Sequence, residues 1–253
     1  MSTLKIKNVV IGEGTPKIIV PLVGKTEEEI LKEAALVKEL APDVVEWRVD
    51  IYEHVEDLEA VKEMISKLRA AFNQELLLFT FRCHKEGGNK AISDAFYVEL
   101  NETAIRTKQI DLVDVELFNE KENVEKLVAA ANENGVFVIM SNHDFFKTPA
   151  KEEIISRLCK MQEYGAHIPK IAVMPQNVGD VLTLLDATYT MKTEHADRPL
   201  ITMSMAGTGV ISRLAGEVFG SAFTFGAGKE ASAPGQIPVA ELRTVLDILH
   251  KSL

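Results

Sequence analysis

One lysine and one histidine in this chain stand where their side chains can make and break bonds. Lys170 lies inside the apolar run Ile168–Val173, and His143 follows the apolar run before it. A lysine in such a run loses hydration, which disfavours the ammonium form, and a neutral amine is the form that attacks a carbonyl carbon. Imidazole exchanges protons near neutral pH. Structural alternatives remain open: the lysine head reaches solvent or a carboxylate, and the histidine is a hydrogen-bonded rim residue.

Two glutamates are candidates for assisting these residues. Glu86 follows the apolar run Leu76–Phe81 and can orient the His143 imidazole and favour its protonated form. An isolated loop glutamate is more often only solvated. Glu46 lies in the run Val44–Val49, and it can accept hydrogen bonds from the hydroxyl groups of a ligand or pair with a neighbouring arginine.

Three arginines have a stronger meaning together than separately. Arg48, Arg82 and Arg213 each lie at or beyond the end of a different apolar run. A single arginine usually forms a surface ion pair, but three at one site predict recognition of a carboxylate and hydroxyl groups. Ser232 and Gln236 flank a Pro-Gly pair, and they are candidates for a polar lid or for a simple turn.

The elements that must position these residues alternate along the chain. Short, nearly continuous apolar runs predict strands that are buried on both faces. The predicted strands are Lys17–Val23, Val44–Val49, Leu76–Phe81, Leu112–Leu117, Val136–Ser141, Ile168–Val173, Leu200–Ser204 and Ala222–Phe225. Amphipathic periodicity predicts helices over Thr26–Leu40, Asp57–Phe72, Asn123–Asn134, Lys151–Tyr164, Asn177–Lys192 and Val239–Leu249. Thr26 and Glu29 form a capping box at the first helix, and Asn134-Gly135 is a helix stop.

Repeated strand–helix alternation predicts an α/β fold, a (β/α)₈ TIM barrel in which residues 1–253 form a single catalytic domain. The leading segment Leu4–Gly12 is predicted to be a β-hairpin that closes the barrel bottom. In such a barrel the active site lies at the carboxyl ends of the strands. The candidate residues above fall at those ends, so we expect them to meet at one barrel mouth.

The composition excludes several classes of function. The formal net charge of −10 over 253 residues argues against nucleic-acid and anionic-membrane binding, which need a basic face. The N-terminus lacks the apolar core of a signal peptide, and no apolar run approaches the ~20 residues of a membrane span. Cys83 and Cys159 fit no metal or redox spacing. We therefore expect a cytoplasmic protein with two reduced thiols.

Two glycine-rich segments resemble nucleotide-binding motifs only superficially. The segment Gly226–Lys229 has Phe223 where a P-loop needs its first glycine, and Glu230 replaces the serine or threonine. In the second segment, Gly207–Gly209, Ser212 stands where a dinucleotide site needs glycine or alanine. The sequence therefore predicts neither a metal nor a cofactor.

Sequence blocks along nearly the whole chain carry a family pattern. They are Val45-Glu46-Trp47-Arg48-Val49-Asp50, Phe79-Thr80-Phe81-Arg82 with Glu86-Gly87-Gly88, Val113-Asp114-Val115-Glu116-Leu117, Ser141-Asn142-His143-Asp144-Phe145, Pro169-Lys170-Ile171-Ala172, Ser212-Arg213 and Ala231-Ser232-Ala233-Pro234-Gly235-Gln236. In this order the chain resembles the type I 3-dehydroquinate dehydratases of the shikimate pathway. The last block is rather specific.

The resemblance implies a mechanism and a role for each residue. Lys170 is expected to form an imine with the ketone of 3-dehydroquinate, and His143 to move the proton in a syn elimination of water that yields 3-dehydroshikimate. Glu86 is expected to orient His143. Substrate contacts are expected from Arg213 to the carboxylate, from Glu46, Arg48 and Arg82 to ring hydroxyls, and from a closing loop with Ser232 and Gln236. The family also implies a homodimer.

Two other functions compete with this one. A Schiff-base aldolase uses the same lysine placement in the same barrel and acts on a small oxo acid. A clear phosphate-binding glycine loop in the sequence would favour this alternative. A non-catalytic barrel that binds an organic acid would use the arginines and leave Lys170 structural. Replacing Lys170 with alanine separates this last alternative from an enzyme. Binding that is kept while turnover is lost supports the enzyme, and an unchanged turnover contradicts it.

Overall fold

Short β-branched and apolar segments form a curled parallel sheet. The computed structural model describes residues 3–228 and 235–253 of the chain. Its strands are β1 (Leu4–Ile6), β2 (Val9–Ile11), β3 (Lys17–Leu22), β4 (Val44–Arg48), β5 (Leu76–Thr80), β6 (Leu112–Glu116), β7 (Phe137–Asp144), β8 (Ile168–Val173), β9 (Ile201–Ser204), β10 (Phe223–Ala227) and β11 (Ile237–Pro238). The sheet order is β11-β10-β3-β4-β5-β6-β7-β8-β9, with every ladder parallel.

Strand β9, at one end of the sheet order, approaches β10 near the other end. A parallel bridge joins Leu200 to Ser221, and the Ala222 amide donates a hydrogen bond of 2.8 Å to the Leu200 carbonyl. Eight strands in chain order, with their first and last members in contact, are consistent with the predicted (β/α)₈ barrel.

Amphipathic helices alternate with the strands. They are α1 (Glu27–Glu39), α2 (Leu58–Ala71), α3 (Asp94–Arg106), α4 (Lys121–Asn134), α5 (Lys151–Glu163), α6 (Val178–Thr190), α7 (Val210–Leu214), α8 (Gly216–Phe219) and α9 (Val239–Ser252). The capping box of α1 is confirmed: the Thr26 hydroxyl accepts a hydrogen bond from the Glu29 amide, and the Glu29 carboxylate accepts one from the Thr26 amide. Gly135 ends α4 with a φ of 71°, as its helix-stop pattern predicts.

Helix α3 was absent from the helices predicted by periodicity. Its buried face includes Asn101, which is fully buried and donates from its side chain to the Tyr97 carbonyl. A polar residue on the inner face interrupts the apolar stripe, so periodicity alone does not reveal the helix. Its N-cap is a conventional signal, because the Ser93 hydroxyl accepts a hydrogen bond from the Phe96 amide.

Strand alternation separates two hydrophobic clusters. One cluster packs between sheet and helices and includes Val45, Trp47 and Phe79. The other contains sheet and hairpin residues without any from the α-helices, including Val44 and Leu78. Because successive side chains on a strand point to opposite faces, the second cluster marks the inside of the curled sheet.

The N-terminal hairpin covers the amino ends of the strands. β1 and β2 pair antiparallel, and Ile6 and Ile11 are buried in the inner cluster with Val44, Leu76 and other residues that begin strands. This placement confirms the predicted hairpin at the bottom of the fold. It leaves the carboxyl ends of the strands as the open side. No helix in the described part of the chain combines the length and apolarity needed to cross a bilayer.

Candidate active site

The alternation of the strands brings the candidate residues to one side of the sheet. Glu46 follows Val44 by two residues, and Lys170 follows Ile168 by two; both apolar residues belong to the inner cluster. The same spacing of two places His143 inward, because β7 continues to Asp144 and pairs His143 with Ala172 on β8. The predicted strand ends at Ser141, but β7 continues to Asp144. His143 is therefore a strand residue and not a loop residue.

A cavity of about 280 Å³ opens at the carboxyl ends of the strands. Eight of the nine predicted site residues line it: Glu46, Arg48, Arg82, Glu86, His143, Lys170, Arg213 and Gln236. The ninth, Ser232, lies outside the described residues. Apolar walls are supplied by Phe145, Ala172, Met203, Met205 and Phe225. Polar groups that converge within a partly apolar cavity are typical of a small-molecule site.

The Lys170 side chain is buried in the wall of the cavity. Its Nζ lies 3.3 Å from Oδ2 of Asp114 and 4.9 Å from the centre of the Phe225 ring. Only 3% of Lys170 is exposed. The structural alternative for this lysine included a carboxylate partner, and Asp114 is that partner. Lys170 also lines the cavity, so a carbonyl compound bound there lies beside its side chain.

Glu86 and His143 form a hydrogen-bonded pair beside Lys170. The Glu86 Oε2 atom accepts from the backbone amide of His143 at 2.9 Å and lies 3.0 Å from its Nδ1. With Nδ1 engaged by a carboxylate, Nε2 is the ring nitrogen available to take a proton. The pair thus has the geometry of a base and the group that orients it.

The charges around this pair favour a neutral imidazole. Burial lowers the pKa of His143 well below its usual value, and the cations Arg82, Lys170 and Arg48 lower it further. Burial raises the pKa of Glu86 to about 7, against the lowering effect of Arg82. The sequence interpretation gave Glu86 an effect that favours protonated His143, but burial and then the three cations act in the opposite direction, and the net shift of the His143 pKa is downward. A neutral imidazole is the form that accepts a proton.

A short loop places Glu86. Residues His84–Glu86 form a 3₁₀ turn that ends at Gly87 with a φ of 84°. A Cβ on Gly87 would lie 2.4 Å from the Phe145 ring, and one on Gly88 would lie 1.8 Å from the Arg82 carbonyl oxygen. Side chains at either position collide with their neighbours, so the two glycines allow the close approach that aims Glu86 at His143.

Arg82 lines the cavity and is surrounded by carboxylates. Its Nη1 donates to Glu116 at 2.7 Å and to the Ser141 hydroxyl at 3.0 Å, and its Nη2 donates to Asp114 at 2.8 Å. These bonds use donors that the predicted contact with a substrate hydroxyl would need. The structure therefore places Arg82 at the cavity and gives it a structural role as well.

Arg48 is aimed by a bidentate contact. Its Nε and Nη2 donate to the two Asp50 oxygens at 2.8 and 2.9 Å. Burial alone would raise the pKa of Asp50, but the bonds from Arg48 and from two backbone amides hold it below the usual value. Glu46 is also buried, and its Oε1 accepts a hydrogen bond of 3.0 Å from Thr80.

Arg213 comes to the cavity on the short helix α7. The Ser212 hydroxyl accepts a hydrogen bond from the Ser204 amide at 2.9 Å and donates one to the Gly209 carbonyl at 2.7 Å, so it ties α7 to the end of β9. Arg213 is 2% exposed, and burial lowers its pKa to about 10. Its guanidinium still carries a charge at neutral pH, which suits an anionic ligand. Gln236 lies just before β11 and is half-buried.

Sequence reasoning assigned no role to several residues that complete the site. Asp114 contacts Lys170, Asp50 holds Arg48, and Asn142 contacts Glu86. A signal for Asp114 exists in the sequence, because it follows the inward-facing Leu112 by two residues in a buried strand. Asn142 has no such signal, since its neighbour His143 already occupies the inward position.

The arrangement has the parts needed to form and hydrolyse an imine and to move one proton. It has an amine, an oriented imidazole and a set of arginines at one cavity. Within residues 3–228 and 235–253, no group of three or more His, Cys, Asp or Glu side chains is arranged to hold a metal ion.

Comparisons with known proteins agree with this geometry. The chain is 67% identical over 253 residues to the 3-dehydroquinate dehydratase of Bacillus velezensis, and 67% identical over 252 residues to that of Bacillus subtilis; it covers 100% and 99% of these proteins, which cover 100% of it. The solved structure of a type I 3-dehydroquinate dehydratase from Clostridium difficile superposes with a TM-score of 0.97 at 56% identity, covering 100% of this chain and 99% of that one. The type I 3-dehydroquinase family model matches residues 18–253. The chain belongs to the type I 3-dehydroquinase family.

Proposed function

We propose that this protein dehydrates 3-dehydroquinate to 3-dehydroshikimate through an imine on Lys170. The observation that carries the proposal is that Lys170 and the hydrogen-bonded Glu86–His143 pair line the same cavity. Membership of the type I family supports the reaction, and the Clostridium difficile relative was solved with a covalently modified comenic acid.

The chemistry divides one elimination into easier steps. The Lys170 amine adds to the ketone carbon, and loss of water gives a protonated imine. His143 then removes a proton from the adjacent carbon, and the electron pair moves into the iminium group. The resulting enamine expels the neighbouring hydroxyl group, which leaves as water with the proton from His143. Hydrolysis of the conjugated imine releases the product and restores Lys170.

The surrounding polar groups are proposed to hold the substrate. Arg213 is the proposed partner of the substrate carboxylate, because a buried guanidinium forms strong charge-assisted hydrogen bonds with a carboxylate. Glu46, Arg48 and Arg82 are proposed to contact ring hydroxyls. Gln236 is proposed to close over the substrate together with Ser232, which lies outside the described residues.

The aldolase alternative uses the same lysine but a different bond. Lys170 alone does not separate the two functions, since both begin with an imine. A proton-transfer pair beside the amine supports elimination of water. The family match supports the same conclusion.

The test is intact-mass spectrometry after borohydride reduction in the presence of 3-dehydroquinate. The wild type should gain the reduced adduct, including a form one water lighter, while Lys170→Ala gains none and its turnover falls more than about 10³-fold. Lys147→Ala, an exposed lysine in the loop after β7, is the matched control and should behave as wild type. An active wild type without an adduct would contradict the imine mechanism.

We also propose how the molecule is organised. One sheet runs from Lys17 to Pro238, which supports a single catalytic domain over residues 1–253. The two cysteines are free, which suits a cytoplasmic protein. A homodimer is supported by an apolar face on α6, where Val178, Leu182 and Tyr189 are each more than half exposed.

A further inference from the structure

A chain of hydrogen bonds leads from the Glu86–His143 pair out through the sheet. Asn142 is 4% exposed, and its Nδ2 donates to Oε1 of Glu86 at 3.1 Å. The other Glu86 oxygen is engaged by the backbone amide and Nδ1 of His143. Both ends of the carboxylate are therefore held, and its plane, which aims the imidazole, depends on the Asn142 amide.

The Asn142 amide has two orientations that differ by a half turn. In the observed one its NH₂ group faces Glu86; in the other its oxygen would face the carboxylate and repel it. Arg157 on α5 selects between them, because its Nη1 donates to Oδ1 of Asn142 at 2.9 Å. A guanidinium has donors and no acceptor, so it pairs with the oxygen and not with the NH₂ group.

Arg157 is itself fixed from outside the sheet. Its Nε donates to Glu153 at 2.7 Å, and its guanidinium carbon lies 5.4 Å from the centre of the Phe118 ring. The Asp144 carboxylate is 4.0 Å from its Nη1. Helix α5 thus presents one oriented guanidinium to β7, and none of these contacts involves the cavity.

We propose that Arg157 and Asn142 are positioning residues, in which Arg157 fixes the Asn142 amide so that it holds Glu86 in the plane that aims His143. The proposal rests on the proposed function, because it assigns the pair to proton transfer. It adds to that function two residues that do not line the cavity.

Loss of the Arg157 contact has a predictable electrostatic effect. Burial raises the pKa of Glu86, and the Asn142 bond is one of the contacts that lower it. Without that bond, the Glu86–His143 pair takes up its proton at a higher pH. Protonated Glu86 no longer accepts from Nδ1, so the low-pH limb of kcat/KM moves upward. The charged groups that act on the pair are Arg82, Glu116, Lys170 and Arg48, and all are retained when Arg157 is replaced.

The experiment compares Arg157→Met with Glu153→Gln. Arg157→Met keeps much of the stem but removes the donor; kcat should fall about 10–100-fold with a smaller change in KM, and the low-pH limb should move upward. Arg157→Lys retains a cation and one donor and should recover part of the loss. Glu153→Gln removes the exposed partner of Arg157 and leaves the Asn142 contact, so its profile should match the wild type.

A second variant and a second readout keep the test decisive. Asn142→Asp retains the volume and the Arg157 partner but places a charge beside Glu86, so it should move the limb further upward. Titration of the His143 imidazole by NMR, without substrate, should show the same upward movement even if the protein does not turn over 3-dehydroquinate. Unchanged titrations in Arg157→Met and Asn142→Asp, or lower kcat with an unmoved limb, would overturn the proposal. An absence of turnover in the wild type would instead overturn the proposed function.

Discussion

The Asp114 carboxylate accepts hydrogen bonds from both Lys170 and Arg82. Its Oδ1 accepts hydrogen bonds from Arg82 at 2.8 Å and from Ser141 at 2.6 Å, and its Oδ2 accepts from Lys170 at 3.3 Å. Burial would raise the pKa of Asp114, but Arg82 and Lys170 reverse this effect and hold it below the usual value. Asp114 therefore remains ionised, and it can balance the positive charge of the imine that we propose on Lys170.

Replacement of Asp114 should slow imine formation. In Asp114→Asn the carbonyl can still accept from Arg82, but the amide NH₂ then faces the Lys170 nitrogen and the negative charge is gone. We expect the rate at which the borohydride-trapped adduct accumulates to fall by about 10–100-fold. Quenched-flow mixing followed by intact-mass spectrometry measures this rate.

Glu116→Gln is the matched control for that variant. Glu116 accepts from the same arginine at 2.7 Å, and among the described residues its carboxylate pairs with Arg82 and the Cys83 amide while Lys170 pairs with Asp114. Each substitution removes one buried carboxylate charge beside Arg82, so the two variants should lose a similar amount of stability. Equal trapping rates in the two variants would contradict a specific role for Asp114.

At the scale of elements, the loop from His84 to Gly88 has no room for a side chain at either of its glycines. Gly88→Ala would place a Cβ against the Arg82 carbonyl, so the backbone there must shift, and we expect Glu86 to lose its alignment with His143. We expect kcat to fall at least about 10-fold while the protein still folds. Steady-state kinetics with thermal unfolding measure both effects.

Gly135→Ala separates backbone strain from site geometry. Gly135 also has a positive φ, of 71°, but a Cβ there meets no atom within 4 Å. Its replacement should cost about 1 kcal/mol of stability and leave kcat unchanged. If Gly88→Ala retains wild-type kcat, the loop does not set the position of Glu86.

At the scale of the whole molecule, the exposed face of α6 should carry the homodimer. Leu182→Glu places a charge in the middle of that face, so light scattering should report the 28.0 kDa chain mass instead of twice that value. Ile248 on α9 is exposed to a similar degree, 59% against 61%, and Ile248→Glu is the control that should remain dimeric. A dimer that survives Leu182→Glu, or a monomeric wild type, would contradict the proposal.

Local sequence signals determined much of the fold. The apolar runs, the Thr26 capping box and the Gly135 helix stop depend on residues that are neighbours in the chain, so they can be recognised without a structure. The rule that barrel sites lie at the carboxyl ends of strands then brought eight candidate residues to one cavity. Helix α3 was missed because its inner face contains Asn101, whose hydrogen bond appears only once the helix has formed.

Only the tertiary structure decided how the side chains pair. Glu86 meets His143 across 57 residues, and Asp114 meets Lys170 across 56. Such contacts depend on the register of separate strands, to which residues adjacent in the chain give no guide. The protonation preference of His143 also follows from packing, because three arginine and lysine charges act on it together in a buried space. The sequence by itself therefore determined which groups are present, and the tertiary structure decided their partners and their charges.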